Sequence, residues 1–246
     1  MFIEKTIKKI GMLTPSSNTV LEPVCQQMLS GLDDVSVHFS RFTVTEISLR
    51  PNALGQFELE PMLGAARLLA DAEVDVIAWN GTSAGWLGFE ADERLCERIF
   101  QETGIPATTS VLALNEAFAR YGVKSFGLAT PYTPDVNEKI IANYAAAGLN
   151  CAASQCLGIY VNKEFSRVSQ ETIEQMVDRV AVPGVEAITT FCTNLRAAPL
   201  VEKLEQKLGV PIFDTISVVV WKALTMIGVS PDRVRGWGGL FRSASC

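Results

Sequence analysis

Short apolar runs alternate with longer stretches whose apolar positions recur every three or four residues, and this rhythm continues along the whole chain. Runs of the first kind read as strands and those of the second as helices with one face on a core. Thr6 to Leu13 is an apolar run that ends in the polar loop Thr14-Pro15-Ser16-Ser17-Asn18. Thr19 to Leu32 follows with helical spacing at Val20, Val24 and Met28, and Val35 to Phe42 alternates as a strand does. Pro61 to Ala72 predicts a helix, and Val74 to Trp79 is a continuous apolar run of the kind found in buried parallel strands. Ala91 to Thr103 predicts a helix, Ala107 to Thr109 a brief strand and Val111 to Tyr121 another helix. The remainder repeats the order. Strands are expected at Ser125 to Ala129, Cys151 to Leu157, Ala187 to Phe191 and Pro211 to Phe213. Helices are expected at Pro134 to Ala147, Gln170 to Val180, Pro199 to Leu208 and Ile216 to Ile227.

The repetition extends to residue identity. Ile10-Gly11-Met12-Leu13-Thr14-Pro15 resembles Phe126-Gly127-Leu128-Ala129-Thr130-Pro131, with Gly127 standing 116 positions after Gly11. Val74 to Gly81 resembles Val185 to Cys192 at a spacing of 111, and Gly104-Ile105-Pro106 resembles Gly209-Val210-Pro211 at 105. Three matches in one order imply two similar halves. The expected fold class is therefore α/β, with two pseudo-symmetric doubly wound parallel-sheet halves and the active site in the cleft between them. Residues 1–115 with 217–246 are expected to form the first half, and 116–216 the second. Ligands in such sheets bind beyond the carboxyl ends of the strands, where the loops at 14–18, 81–83, 130–133 and 192–194 fall.

Composition narrows the partners. The formal charge of −6, with no basic cluster, argues against nucleic acid and anionic membranes. No apolar run approaches the roughly 18 residues of a membrane span, and Met1-Phe2-Ile3-Glu4-Lys5 has no leader pattern. Six cysteines (25, 96, 151, 156, 192 and 246) include no Cys-x-x-Cys pair, so a reduced, cytoplasmic protein is expected. Cys151 and Cys156 read as buried packing rather than metal ligands. The only histidine, His38, alternates within a strand pattern, which excludes a zinc site built on several histidines and makes imidazole a poor candidate for acid or base. No phosphate-binding glycine pattern is present, so no nucleotide cofactor is expected.

The remaining chemistry lies in the four loops. Cys192 ends an apolar run, where backbone N–H groups of a following helix would lower the pKa of its thiol. A buried, unreactive cysteine is the alternative. Gly81-Thr82-Ser83 offers N–H groups and two hydroxyls that suit a carboxylate or oxyanion, or that cap a helix. Thr14 to Asn18 and Thr130 to Thr133 are symmetry mates with hydroxyls around a proline-fixed turn, and Ser17 and Thr133 could equally be helix caps. Tyr132 adds a phenolic donor, and Asn162 lies in a polar loop. Such loops can hold a small carboxylate, stabilise an enediolate and move one proton to or from carbon.

These residues resemble the aspartate/glutamate racemase superfamily, and within it the maleate cis-trans isomerases and arylmalonate decarboxylases. Pro15-Ser16-Ser17-Asn18-Thr19 is similar to the isomerase pattern. Gly81-Thr82-Ser83, Ala129-Thr130-Pro131-Tyr132 and Cys192 are similar to the decarboxylase pattern, whereas Thr193-Asn194 departs from the glycine-rich sequence expected after the decarboxylase cysteine. The resemblance implies a cofactor-independent enzyme acting on a small carboxylate, and a homo-oligomer by family habit. Racemases and isomerases of this kind carry a cysteine at each mirrored strand end, and here the first is Gly81. The resemblance thus implies decarboxylation of a malonate-like acid. Cys192, Gly81, Thr82, Ser83 and Tyr132 would form the catalytic centre. Pro15, Ser16, Ser17, Asn18, Thr130, Asn162, Thr193 and Asn194 would bind substrate, and Trp79, Trp86 and Leu87 are candidates for an apolar pocket. Isomerisation or racemisation with Cys192 and a hydroxyl or water near Gly81 is the alternative, and a non-catalytic carboxylate-binding protein is a third.

Overall fold

The computed structural model describes residues 7–242, so Thr6 of the expected first strand, the segment Met1 to Lys5, and Cys246 lie outside the described residues. The first half runs β1 (Lys8–Pro15), α1 (Leu21–Leu29), β2 (Val35–Phe42), α2 (Pro51–Leu54), α3 (Leu59–Ala70), β3 (Val76–Trp79), α4 (Ala84–Leu87), α5 (Phe89–Thr103), β4 (Ala107–Thr109) and α6 (Ser110–Arg120). The second runs β5 (Ser125–Thr130), α7 (Pro134–Ala146), β6 (Asn150–Cys156), α8 (Asn162–Phe165), α9 (Gln170–Val180), β7 (Ala187–Thr190), α10 (Val201–Leu208) and β8 (Ile212–Asp214), after which comes α11 (Thr215–Met226). All eight expected strands form. The short helices α2, α4 and α8 were not legible, because four residues are too few to show a helical period.

The strands make two four-stranded sheets, ordered β2-β1-β3-β4 and β6-β5-β7-β8. Every pairing within them is parallel. The register reproduces the sequence repeat. Gly11 stands opposite Ile77 in one sheet, and Gly127 stands opposite Ile188 in the other. Both glycines are steric necessities. A Cβ at Gly11 would come within 3.0 Å of Val74 Cγ2 and 3.1 Å of Leu69 Cδ1, and one at Gly127 within 2.7 Å of the Val180 carbonyl. The missing side chain lets the end of α3 or α9 lie close against its sheet.

Local chemistry ends the helices where the sequence changes character. Thr109 caps α6 by accepting from the Leu112 N–H, and Asp214 caps α11 by accepting from Ile216 and Ser217. Gly104 and Gly209, at φ +70° and +68°, close α5 and α10 in the left-handed conformation. Helices α6 and α11 tie the halves together. Phe118 of α6 packs 5.2 Å from Phe126 and 5.8 Å from Phe213, ring centre to ring centre. Helix α11 reaches back to β3 and β4 and buries Ile216, Val218, Val219, Val220, Trp221 and Leu224. A helix apolar on every side must be buried on every side, and each such side chain contributes about 1.5–3 kcal/mol.

A strap from the first half crosses to the second. Ile47 N–H donates to the Tyr160 carbonyl at 2.8 Å and Asn162 N–H to the Thr45 carbonyl at 2.9 Å, around an antiparallel bridge from Glu46 to Val161. It roofs the mouth between the two sheets. His38 sits half-buried on β2 with its ring 2.9 Å from Ser36 Oγ, away from that mouth. Cys151 and Cys156 are only partly buried, because β6 is an edge strand, so the expectation of buried packing for this pair is corrected. Among the described residues no helix is long and apolar enough to cross a membrane.

Candidate active site

The carboxyl ends of β1, β3, β5 and β7 converge on one cavity. Pro15, Gly81, Thr82, Tyr132, Asn162, Cys192 and Thr193 line it, with Val44, Ile47, Phe57, Trp79 and Trp86 as apolar walls. The cavity volume is about 20 Å³, about the room that one water molecule needs. The site is narrow, and the strap bearing Val44 and Ile47 forms part of its wall.

Cys192 carries the only thiol in this wall, and it is 2% exposed. The segment after β7 turns through 192–197 instead of starting a helix, so no helix N-terminus faces the sulfur. Burial pushes the thiol up to about 12, against the pull of the Tyr132 hydroxyl and the N–H groups of Asn194 and Leu195, while the Asp214 charge adds to the rise. The sequence expectation of a lowered thiol pKa is therefore corrected: desolvation outweighs the donors. Tyr132 is likewise held neutral by burial, with its phenol well above the ordinary value. Its hydroxyl lies 2.6 Å from Thr82 Oγ1 and also reaches the Cys192 sulfur.

Around these groups stand donors without acceptors. Among the described residues, the backbone N–H groups of Gly81, Thr82, Ser83 and Thr193 make no hydrogen bond within the protein. Cys192 and Thr193 come from one sheet, and Gly81 and Thr82 from the other. Unpartnered N–H groups at facing strand ends, together with a neutral phenol and a threonine hydroxyl, are suited to a carboxylate or an enediolate.

The polar residues behind this layer bond to one another. Asn18 Oδ1 accepts from the Val20 and Leu21 N–H groups, and its Nδ2 donates to the Thr193 carbonyl and hydroxyl. Thr193 Oγ1 donates to the Asn80 carbonyl at 2.9 Å. Asn194 accepts from Thr19 N–H and donates to the Asn162 carbonyl, and Asn162 Nδ2 donates to Ser17 Oγ. Ser17 Oγ donates to the Val44 carbonyl at 2.6 Å, and Ser16 Oγ accepts from Val44 N–H. Thr130 Oγ1 donates to Asn137 Oδ1.

Of the residues singled out from sequence, Pro15, Gly81, Thr82, Tyr132, Asn162, Cys192 and Thr193 therefore meet at the cavity. Ser16, Ser17, Asn18, Ser83, Thr130 and Asn194 stand outside its lining. Apart from Ser83, whose hydroxyl makes no cap bond to α4, their side chains hold the turns and the strap in place. Neither Ser17 nor Thr133 caps a helix, and Asn18 supplies the cap to α1. Trp79 and Trp86 line the cavity as expected of apolar-pocket residues, whereas Leu87 is 40% exposed and lies elsewhere. Sequence reasoning missed Val44, Ile47 and Phe57. Their only signal was a scatter of apolar side chains in a stretch with neither helix nor strand period.

Gly81 is enclosed by the ring of Trp79. A Cβ there would fall 1.9 Å from Trp79 Cζ2, 2.4 Å from Cε2 and 2.6 Å from Cη2.

A sequence model of the family described as arylmalonate decarboxylase matches residues 15–241. The arylmalonate decarboxylase of Bordetella bronchiseptica is 28% identical over 186 residues, 74% of this chain and 78% of that protein. The maleate isomerase of Geobacillus stearothermophilus is 25% identical over 234 residues, 90% of this chain and 92% of that protein. Among solved structures, a liganded arylmalonate decarboxylase carrying a glycine-to-cysteine and a cysteine-to-serine change superposes with TM-score 0.84 at 26% identity, over 95% of this chain and 98% of that one. A Nocardia farcinica maleate cis-trans isomerase variant with a covalently bound succinylcysteine intermediate superposes at 0.88 and 24% identity, over 97% and 100%.

Proposed function

The chain belongs to the arylmalonate decarboxylase family, and on that premise we propose that it decarboxylates a malonate-like acid without a cofactor, with Cys192 as the proton donor. It is an enzyme of the group that holds the arylmalonate decarboxylases and maleate isomerases. One observation carries the choice of reaction: the cavity has a thiol at one mirrored strand end and a glycine covered by an indole at the other.

One carboxylate of the substrate lies against Thr82, Tyr132 and the free N–H groups of Gly81, Thr82 and Thr193. The second faces the apolar wall of Val44, Ile47, Phe57 and Trp86, which solvates a charge poorly. The bond from the α-carbon to that second carboxylate breaks, CO2 leaves, and the electron pair passes into an enediolate held by the donors. Cys192 then forms the new C–H bond with its S–H proton, and the sulfur left behind as thiolate regains a proton from water. A thiol held protonated at neutral pH suits this role and hinders nucleophilic attack. Protonation from one face gives a single enantiomer when the α-carbon bears two different substituents.

Isomerisation of maleate is the second reading, favoured by the likeness to the maleate isomerase of Geobacillus stearothermophilus over 90% of this chain. The deciding experiment measures CO2 release from a panel of α-substituted malonates, beside NMR of maleate and of amino acids in D2O. Wild type and Cys192→Ala are compared throughout. Cysteine-dependent CO2 with one deuterium at the α-carbon is the expected result. Fumarate from maleate, or α-deuteration without CO2, would overturn it.

A further inference from the structure

We infer that Trp79 makes the site one-sided: its indole takes the space that an acid–base side chain at position 81 would need, so the protein protonates but does not racemise. The inference rests on the proposed decarboxylation.

Trp79 ends β3 and Gly81 follows it by two residues, with the indole covering the space where a Gly81 Cβ would stand. The ring is not free to swing away. It is 1% exposed and packs on Phe42 with ring centres 5.0 Å apart. Gly81 does not have the left-handed backbone that would itself demand glycine, so the indole is what excludes a Cβ.

The second sheet shows the opposite arrangement in the same register. Ile77 and Ile188 face equivalent glycines of β1 and β5, which makes Thr190 the mate of Trp79 and Cys192 the mate of Gly81. One strand end is large then small, and the other is small then large. Thr190 turns its hydroxyl to Asp214 Oδ2 at 2.8 Å and leaves room two residues on for the sulfur. In this chain the indole at 79 stands where no thiol follows, and the threonine at 190 stands where one does. Putting threonine and cysteine at 79 and 81 would rebuild the second half's arrangement in the first. Racemisation then needs no further group, only that one of the two sulfurs be ionised, a fraction that rises ten-fold per pH unit below its pKa. A thiolate on one face takes the α-proton, the enediolate forms, and the thiol on the other face returns a proton, so that the two sulfurs exchange roles with no net proton gained.

The test compares wild type, Gly81→Cys, Trp79→Thr and the double variant by thermal unfolding and by racemisation of enantiopure 2-phenylpropanoate in D2O. Gly81→Cys alone is expected to lower Tm by roughly 5 °C or more through overpacking. The same change in the Trp79→Thr background should cost less than half as much. The double variant should racemise the acid at least ten-fold faster than either single variant. Equal Tm losses in the two backgrounds would overturn the inference. So would racemisation by Gly81→Cys as fast as by the double, or a folded, decarboxylating double that does not racemise. If Gly81→Cys does not fold, Gly81→Ala adds only the Cβ and yields the same thermal comparison. Thermal coupling needs no substrate, so a wild type that releases no CO2 would count against the proposed function while leaving the steric claim to its own measurement.

Discussion

Cys192 should remain a thiol far above neutral pH, and this decides what its sulfur can do. Burial sets its pKa at about 12, against 9.0 for an ordinary thiol on the same scale. At pH 7 a group of pKa about 12 is ionised in about one molecule in 10⁵, which places the thiolate about 7 kcal/mol above the thiol. A sulfur that must attack carbon carries that cost in its barrier, equivalent to about a 10⁵-fold loss of rate. A sulfur that gives up its proton to an enediolate starts from the populated form and carries none of it. The perturbation is pH, and the assay is the ultraviolet absorbance of the thiolate, taken as wild type minus Cys192→Ser so that tyrosine ionisation cancels. No thiolate signal should develop through pH 9. In parallel, kcat for CO2 release should stay flat from pH 6 to 9. A thiolate midpoint at or below 9.0, or a kcat rising ten-fold per pH unit, would refute the reasoning and make Cys192 a base or nucleophile.

Removing the Tyr132 hydroxyl with Tyr132→Phe takes away a donor that links Thr82 to the sulfur, and kcat should fall about 10²–10³-fold with the fold intact; a loss under three-fold would remove Tyr132 from the chemistry. Asp92, in the first turn of α5, is buried, and burial raises its carboxyl from 3.8 to about 7 against the pull of the Thr109 hydroxyl. The folded pKa lies above the unfolded one, so this stability is complete below about pH 4 and about 4 kcal/mol of it is lost by pH 8. Calorimetry of Asp92→Asn should therefore show a Tm gain of roughly 10 °C at pH 8 and little change at pH 4. Asn18→Ala removes a cap to α1 and the two bonds that hold the Thr193 turn, and urea unfolding should show a loss of about 2–4 kcal/mol.

The eight strands and most helices were legible in the sequence because a buried parallel strand must be a short apolar run, and a helix on a sheet must show its period. The repeat marked the paired strand ends, since Gly11 and Gly127 answer the same steric demand in each sheet. It also put Gly81 opposite Cys192 and named most polar residues of the cavity wall. Only the tertiary structure decided which loop residues face the cavity. Ser17, Asn18 and Asn194 have the same hydrogen-bonding chemistry as Thr82, but they join the halves by bonds to Asn162, Thr193 and Thr19. The cavity-wall residues Val44, Ile47 and Phe57 enter through contacts with no local period. The direction of the Cys192 shift was also hidden, because strand-end position suggested stabilising N–H groups while desolvation depends on everything packed around the sulfur. Trp79 shows the difference most sharply. The sequence supplies an indole and a glycine two residues apart, and only the packing against Phe42 fixes the ring over the place where a second thiol would stand. Periodicity is a property of neighbours along the chain, whereas burial, desolvation and steric exclusion belong to neighbours in space.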